Sequence, residues 1–272
     1  MSEAPFTVAD RDGVAHLQFA RPQAANSMTM AFWREFPKAV RQLDRSGKIR
    51  ALVISGQGKH FCGGMDLSVF QSPELQVGNS SAAREAFVHI ILELQRSLSV
   101  LEEVRFPVIA AVQGACVGAG LDLVAACDLR YAQPDAYFRI EEVNIGMMAD
   151  VGSLQRLPHK LPDALLREMA YTGLTLTATR AKECGFVNDV ADDAVAQALA
   201  VAAEIARRAP LAIAGSKRAI NFARDHSVAE ALEQAALLQS TLWETNDVAA
   251  AVEARKTKSA GKFANLKPLL EL

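Results

Sequence analysis

Apolar residues recur along this chain with two different periods, and the change between them divides it. FTVADRDGVAHLQFA alternates around Asp12-Gly13, which predicts a β-hairpin turning at that dipeptide. Over residues 29–46, Phe32, Phe36, Val40 and Leu43 fall at helical spacing, with Pro37 kinking the helix or marking its first turn. IRALVISG and FPVIAAV are short apolar runs and read as buried strands. Between them come the glycine-rich loop GQGKHFCGGMDL and a polar, irregular stretch over 68–81, read as a mobile flap. A long amphipathic helix is expected over about 83–104. A second glycine-rich turn, QGACVGAGLDL, leads into a buried helix, followed by short strands at LRYA and YFRI. This order of strands and helices predicts an α/β sheet with crossover helices. After about residue 195 the strands stop and four Ala-rich helical segments follow, a C-terminal helical subdomain whose apolar stripes read as core or subunit interface.

Composition narrows the class. A chain of 272 residues suits one large domain, or one domain with a helical extension. The net charge of −2 and the lack of a clustered basic–aromatic tract disfavour nucleic acid as a partner. No run approaches the roughly 18 apolar residues of a membrane span. MSEAPFTVADRDG lacks the apolar region of a signal peptide, and the terminal Leu-Glu-Leu is not a Ser-Lys-Leu address, so a cytoplasmic location is expected. Cys62, Cys116, Cys127 and Cys184 form no CxxC pair and read as free thiols. The five histidines are scattered, with none at metal spacing, so no metal site is expected. Dinucleotide, P-loop and GxSxG signatures are absent.

Chemistry concentrates in three acids. Asp122, Glu142 and Asp150 lie in stretches that are otherwise apolar, small or turn-forming. A buried carboxylate is costly unless it is paired or employed, and burial raises its pKa toward the working pH of an acid–base catalyst. Asp128, at a helix end, reads as a turn or cap residue. Glu141 and Glu142 are neighbours, so in a strand only one could face a pocket. The two glycine-rich turns each follow an apolar strand, and their backbone N–H groups could together form an oxyanion hole for a carbonyl that becomes an enolate. From the residues alone, it stays open whether any two of the acids share a site.

Those segments resemble the enoyl-CoA hydratase/isomerase (crotonase) superfamily over nearly the whole chain. FCGGMDL and AVQGACVGAGLDLVAACDLRYA look like its paired oxyanion segments, and DLVAACDLRYAQPDAYFRIEEVNIGMMADVGSLQRLP is similar to the Δ3,5-Δ2,4-dienoyl-CoA isomerases. The resemblance implies a spiral of ββα units over 1–195 and a helical trimerisation or lid region over 196–272. It implies oxyanion donors at the N–H groups of Met65 and Ala119, the latter usually glycine. It implies CoA contacts from Gly63, Gly64, Met65, Asp66, Leu67 and Gly118, and from Lys262 and Phe263 reaching a neighbouring subunit. Asp122 stands where hydratases carry their first catalytic glutamate, Glu142 matches the second, and Asp150 matches the acid peculiar to dienoyl isomerases. The implied reaction moves a 3,5-diene to 2,4 in fatty-acid oxidation: Glu142 exchanges the C2 proton, Asp150 protonates C6, and Asp122 orients or biases the pair. CoA is then part of the substrate and no cofactor is needed. Homotrimers or homohexamers are implied. The alternatives are an enoyl-CoA hydratase, a Δ3-Δ2-enoyl-CoA isomerase and a non-catalytic acyl-CoA-binding scaffold.

Overall fold

The computed structural model describes residues 4–75 and 77–270. Strands β1 (Phe6–Arg11) and β2 (Val14–Phe19) form the expected antiparallel hairpin, with Asp12 and Gly13 both at positive φ in its turn. Helix α1 (Met30–Ser46) continues past Pro37, eight positions in, so Pro37 does not mark its first turn. Proline donates no N–H to the carbonyl four residues earlier. That carbonyl, on Trp33, lies 3.3 Å from the Ser97 hydroxyl, whose one hydrogen it shares with the nearer Glu93 carbonyl at 2.9 Å. A neighbouring helix thus partly supplies the bond the proline withholds, a compensation no local pattern could reveal.

Strand β3 (Ala51–Gly56) follows, then the short helix α2 (Leu67–Phe70) and the long helix α3 (Ser81–Glu103). The stretch read as a flap holds α2 and a 3-10 turn at Pro73–Leu75. Strands β4 (Val108–Val112) and β5 (Ala115–Val117) are joined at Gly114, where the chain changes sheets. Gly114 has φ +52°, and a Cβ there would sit 2.3 Å from the Lys59 carbonyl oxygen, so no other residue fits the corner. QGACVGAGLDL is therefore not one turn. Its middle, ACV, is a strand too short to show a period, recognisable only by its pairing with the second sheet.

Next come α4 (Ala119–Ala126), β6 (Leu129–Ala132), β7 (Tyr137–Arg139), α5 (Ser153–Arg156), α6 (Asp163–Thr172), β8 (Leu176–Thr177), α7 (Ala178–Glu183) and β9 (Asp189–Val190). The main sheet has the order β1-β2-β3-β4-β6-β9, parallel beyond the hairpin, and β5-β7-β8 forms the second. Strands β4 and β5, then β6 and β7, each place one strand in either sheet, and a helix follows. Repeating that unit winds the chain around a core of Phe19, Phe32, Phe36, Phe61 and Phe138.

Helix α8 (Ala194–Ala206) closes the other face of the main sheet. Ala194, Ala198 and Ala202 form a stripe of small side chains that packs on Ala51, Val53, Ile109 and Ala111. The boundary expected at 195/196 falls inside this helix, which belongs to the sheet's packing. Composition announces a helix here, but the small alanine stripe, not hydrophobicity, lets it lie close to the strands. Helices α9 (Pro210–Arg224), α10 (Val228–Leu242) and α11 (Thr245–Thr257) follow, and a stretch without helix or strand runs on to residue 270. The buried Lys217 anchors α9, donating to the carbonyls of Leu101 and Phe106 and to Asp128. Asp128 also accepts from the Val108 N–H at 2.7 Å, so its carboxylate ties distant elements together instead of serving as the turn or cap residue its helix-end position suggested. No described helix is long and apolar enough to cross a membrane.

Candidate active site

The two glycine-rich segments meet through a parallel bridge between Cys62 and Cys116. The Cys62 N–H donates to the Ala115 carbonyl at 3.0 Å, and the Val117 N–H to the Cys62 carbonyl at 3.1 Å. Gly120 permits this approach, because a Cβ there would lie 2.9 Å from Cβ of Cys62. Both thiols are buried, and burial pushes the Cys62 thiol up to about 12, so they act as small apolar groups.

Met65 lies across from Met28 in a second parallel bridge. The Met28 N–H donates to the Gly64 carbonyl and the Asp66 N–H to the Met28 carbonyl. These flanking bonds turn the N–H of Met65 itself away from Met28. Ala119 is the first residue of α4, whose opening N–H groups have no partner within the helix. Among the described residues, neither the Met65 nor the Ala119 N–H donates to another protein group. Gly118, at φ +52°, makes the turn that starts α4, and a Cβ on Gly64 would lie 3.8 Å from the Ala119 nitrogen.

Both segments wall a cavity of about 710 Å³. Gly63, Gly64, Met65, Asp66, Leu67, Gly118 and Ala119 all line it, as do Asp122, Glu142 and Asp150, so the three acids share one site. Phe70, Phe87, Ile91 and Leu94 supply apolar wall. Glu141 lines it too, contrary to the expectation that only one of the neighbouring glutamates could. The strand ends at Arg139 and Glu142 opens a 3-10 turn, so strand alternation does not apply. Glu141 is held by an ion pair with Arg139.

Each acid is held differently. Asp122 is fully buried on α4, where the hydroxyl and backbone N–H of Ser153 both donate to its Oδ1 at 2.5 Å, and its Oδ2 has no partner. Burial pushes its pKa up to about 6, against the lowering effect of Ser153. Glu142 lies across the second glycine turn: a Cβ on Gly118 would be 3.4 Å from its Oε1. Its Oε2 is buried without a partner, and burial followed by the charge of Asp122 pushes its pKa up to about 7. Asp150 is raised above the usual carboxylate range by burial, and Gln95 of α3 holds its backbone by donating to its carbonyl at 2.7 Å.

Two carry-overs look different in three dimensions. The Asp66 side chain caps α2 and accepts from Ser68, Ser27 and Arg21, bonds that hold its carboxyl well below the usual range. Lys262 and Phe263 line another cleft, of about 960 Å³, beside Arg50 and Asn265, and do not join the acids. No group of three or more His, Cys, Asp or Glu among the described residues is placed to hold a metal ion. Sequence reading missed Ser153, Gln95 and Arg156. Ser153 is 31 residues from Asp122, and no spacing rule links them.

The acids also set the pH dependence of stability. Folded Asp122 titrates near 6, above its ordinary 3.8, so the folded state binds more protons than the unfolded chain. Stability therefore falls as pH rises from about 4 to 6, and the full cost of burying the charge persists above that. Asp122→Asn is expected to raise stability at pH 8 by about 1–2 kcal/mol and to flatten this slope, read from urea unfolding between pH 4 and pH 8.

The arrangement offers two N–H groups with no partner among the described residues and three carboxylates of raised pKa in an apolar cavity. Residues 9–265 match the enoyl-CoA hydratase/isomerase family. A mitochondrial protein of Mus musculus named Delta(3,5)-Delta(2,4)-dienoyl-CoA isomerase is 40% identical over 256 residues, covering 90% of this chain and 78% of its own. A peroxisomal protein of that name from Arabidopsis thaliana is 36% identical and covers 93% of both chains. The structure of a putative enoyl-CoA hydratase from Streptomyces coelicolor A3(2) superposes with a TM-score of 0.87 at 28% identity, covering 97% of this chain and 96% of that one. The expected crotonase-like fold is thereby found. The compartments named for the two relatives lend no support to a cytoplasmic location.

Proposed function

The chain belongs to the enoyl-CoA hydratase/isomerase family, and from that premise we propose that it converts 3,5-dienoyl-CoA to 2,4-dienoyl-CoA in fatty-acid oxidation. The observation that carries this reading is the third carboxylate: Asp150 faces the same cavity as Asp122 and Glu142. Hydration of a 2-enoyl thioester needs two acids around one water. Moving two double bonds removes a proton at C2 and adds one at C6, too far apart for one carboxylate to serve both. Glu142 takes the C2 proton, and the electrons shift through the dienolate. The N–H groups of Met65 and Ala119 hold the thioester oxygen as its charge grows. Asp150 then delivers a proton to C6. One proton leaves and one arrives, so the reaction balances without a redox partner, metal or cofactor. Names of relatives at 36–40% identity support the choice of isomerase.

Oligomerisation belongs to the same proposal. Helix α10 leaves Val228 and Leu232 77% and 66% exposed, apolar area suited to burial between copies in a homotrimer or homohexamer. The region from α9 onward would then be the trimerisation part of the chain, with Lys262 and Phe263 able to reach a neighbouring subunit's CoA.

The test is to supply the purified protein with 3,5-dienoyl-CoA and, separately, with 2-enoyl-CoA, following ultraviolet absorbance. Growth of the conjugated 2,4-diene band is expected. Loss of the enoyl band with no diene formed from the first substrate would assign a hydratase instead. Thioester binding without turnover of either would assign a scaffold.

A further inference from the structure

Asp122 is not a symmetric carboxylate. Ser153 directs two donors at the same oxygen, its hydroxyl and its backbone N–H, each 2.5 Å from Oδ1. The N–H can only donate. While Asp122 is ionised the hydroxyl donates as well, so both lone pairs of Oδ1 are taken and an arriving proton finds Oδ2 open. Oδ2, buried and without a partner, is the atom left over. We infer that Ser153 is a positioning residue that occupies one oxygen of Asp122 and so confines the exchangeable proton of this acid to Oδ2.

The surroundings explain how Ser153 is held in place. Ser153 is buried at the start of α5, directly after Gly152 at φ +144°. A Cβ on Gly152 would fall 1.8 Å from Nη1 of Arg156, so the guanidinium fills the space a side chain would need. Arg156 in turn donates to Glu102 at 2.9 Å and to Ser99 at 2.9 Å, both on α3. The same α3 holds the Asp150 carbonyl through Gln95. One helix thus fixes the segment from Asp150 to Arg156, and that segment fixes Asp122.

The charged and titratable groups around Asp122 are few. Arg156 favours its ionised form and Asp150 disfavours it. Glu142, from the 3-10 turn, is coupled to it, and the buried thiol of Cys116 on β5 is pushed well up. Among the described residues, Glu142 Oε2 is the other buried carboxylate oxygen without a partner in this cavity. With Asp122 Oδ1 occupied, any proton passed between these two acids leaves or enters Asp122 through Oδ2. The inference about Oδ2 stands on geometry; its use in turnover rests on the proposed isomerase reading.

Titration of the free protein separates the two. Asp122 can be followed by carbon-13 NMR of carboxyl-labelled aspartate, its signal assigned by loss in Asp122→Asn. A hydrogen bond to a carboxylate stabilises the charged form, so removing the hydroxyl should raise the midpoint. Ser153→Ala is expected to bind the Asp122 proton about tenfold more tightly. Ser153→Cys, nearly isosteric and a weak donor, should follow Ala, whereas Ser153→Thr should stay within about twofold of the parent. An unchanged Asp122 midpoint in Ala and Cys overturns the inference. If Ala does not fold, the Cys–Thr comparison decides alone. A parent protein that forms no 2,4-diene defeats the isomerase reading and leaves the titration result intact.

Discussion

Asp150→Asn is expected to lower kcat on 3,5-dienoyl-CoA by about 10²–10⁴, the usual contribution of a positioned general acid, with thioester affinity little changed. Asparagine preserves size and hydrogen bonding but cannot deliver a proton. The segment should keep its place, because it is held through the backbone: Gln95 donates to the Asp150 carbonyl, not to its carboxyl. The loss should fall on one half-reaction. In deuterated water the variant should still exchange the C2 proton, since Glu142 and both free N–H groups remain, while formation of the 2,4-diene collapses. The pH dependence should change as well. Burial raises the Asp150 pKa, so the parent keeps its proton to higher pH than an exposed aspartate, and the alkaline limb it sets should vanish in the variant. A kcat within about threefold of the parent would make Asp150 structural and sink the dienoyl assignment. Loss of C2 exchange together with turnover would mean that the two acids act as one unit, and the division of labour proposed for them would fail.

What the sequence reveals of this site divides along a physical line. The three acids and two glycine turns are legible because each violates its surroundings: charge among apolar residues, and glycine where a helix should begin. Buried strands such as Ala51–Gly56 are legible for the same reason, as runs too apolar to face water. Features made by contact are not legible. The Trp33 carbonyl freed by Pro37 finds a hydroxyl on another helix. Asp66 sits beside an N–H proposed to bind substrate, yet its side chain serves Arg21, Ser27 and the cap of α2. Ser97, Arg21 and Ser27 are all distant in sequence from the groups they meet; only the cap through Ser68 is local. Glu141 and Glu142 show a subtler failure. The alternation rule is sound for strands, but YFRI ends as a strand at Arg139, and the following turn lets both glutamates face the cavity. The resemblance to a family located the acids, and the packing shows how unequally they are held.

Replacing Ala119 by lactic acid, which turns its amide into an ester, is expected to lower kcat/KM by about 10²–10³. That is the usual cost of removing one donor from an oxyanion hole, about 2.7–4 kcal/mol. The change removes a single N–H and leaves every side chain in place. Its structural cost should be small, because this N–H opens α4 and has no partner among the described residues. The one bonded group touched is the Gly118 carbonyl, which accepts from the N–H groups of Leu121 and Asp122 and weakens as an ester. Unfolding stability should therefore fall by no more than about 1 kcal/mol, well below the effect on the barrier. Ala119→Gly is the companion test, since it removes the methyl and keeps the donor. Turnover within about threefold of the parent is expected there, because the cavity already accommodates the methyl. If the ester variant also turns over at the parent rate, charge does not build up on an oxygen at this turn, and the enolate would have to be held elsewhere. If only the glycine variant changes, the methyl shapes the thioester's path and the N–H is a bystander. The proposed chemistry requires the opposite: a large loss when the donor goes and almost none when the methyl does.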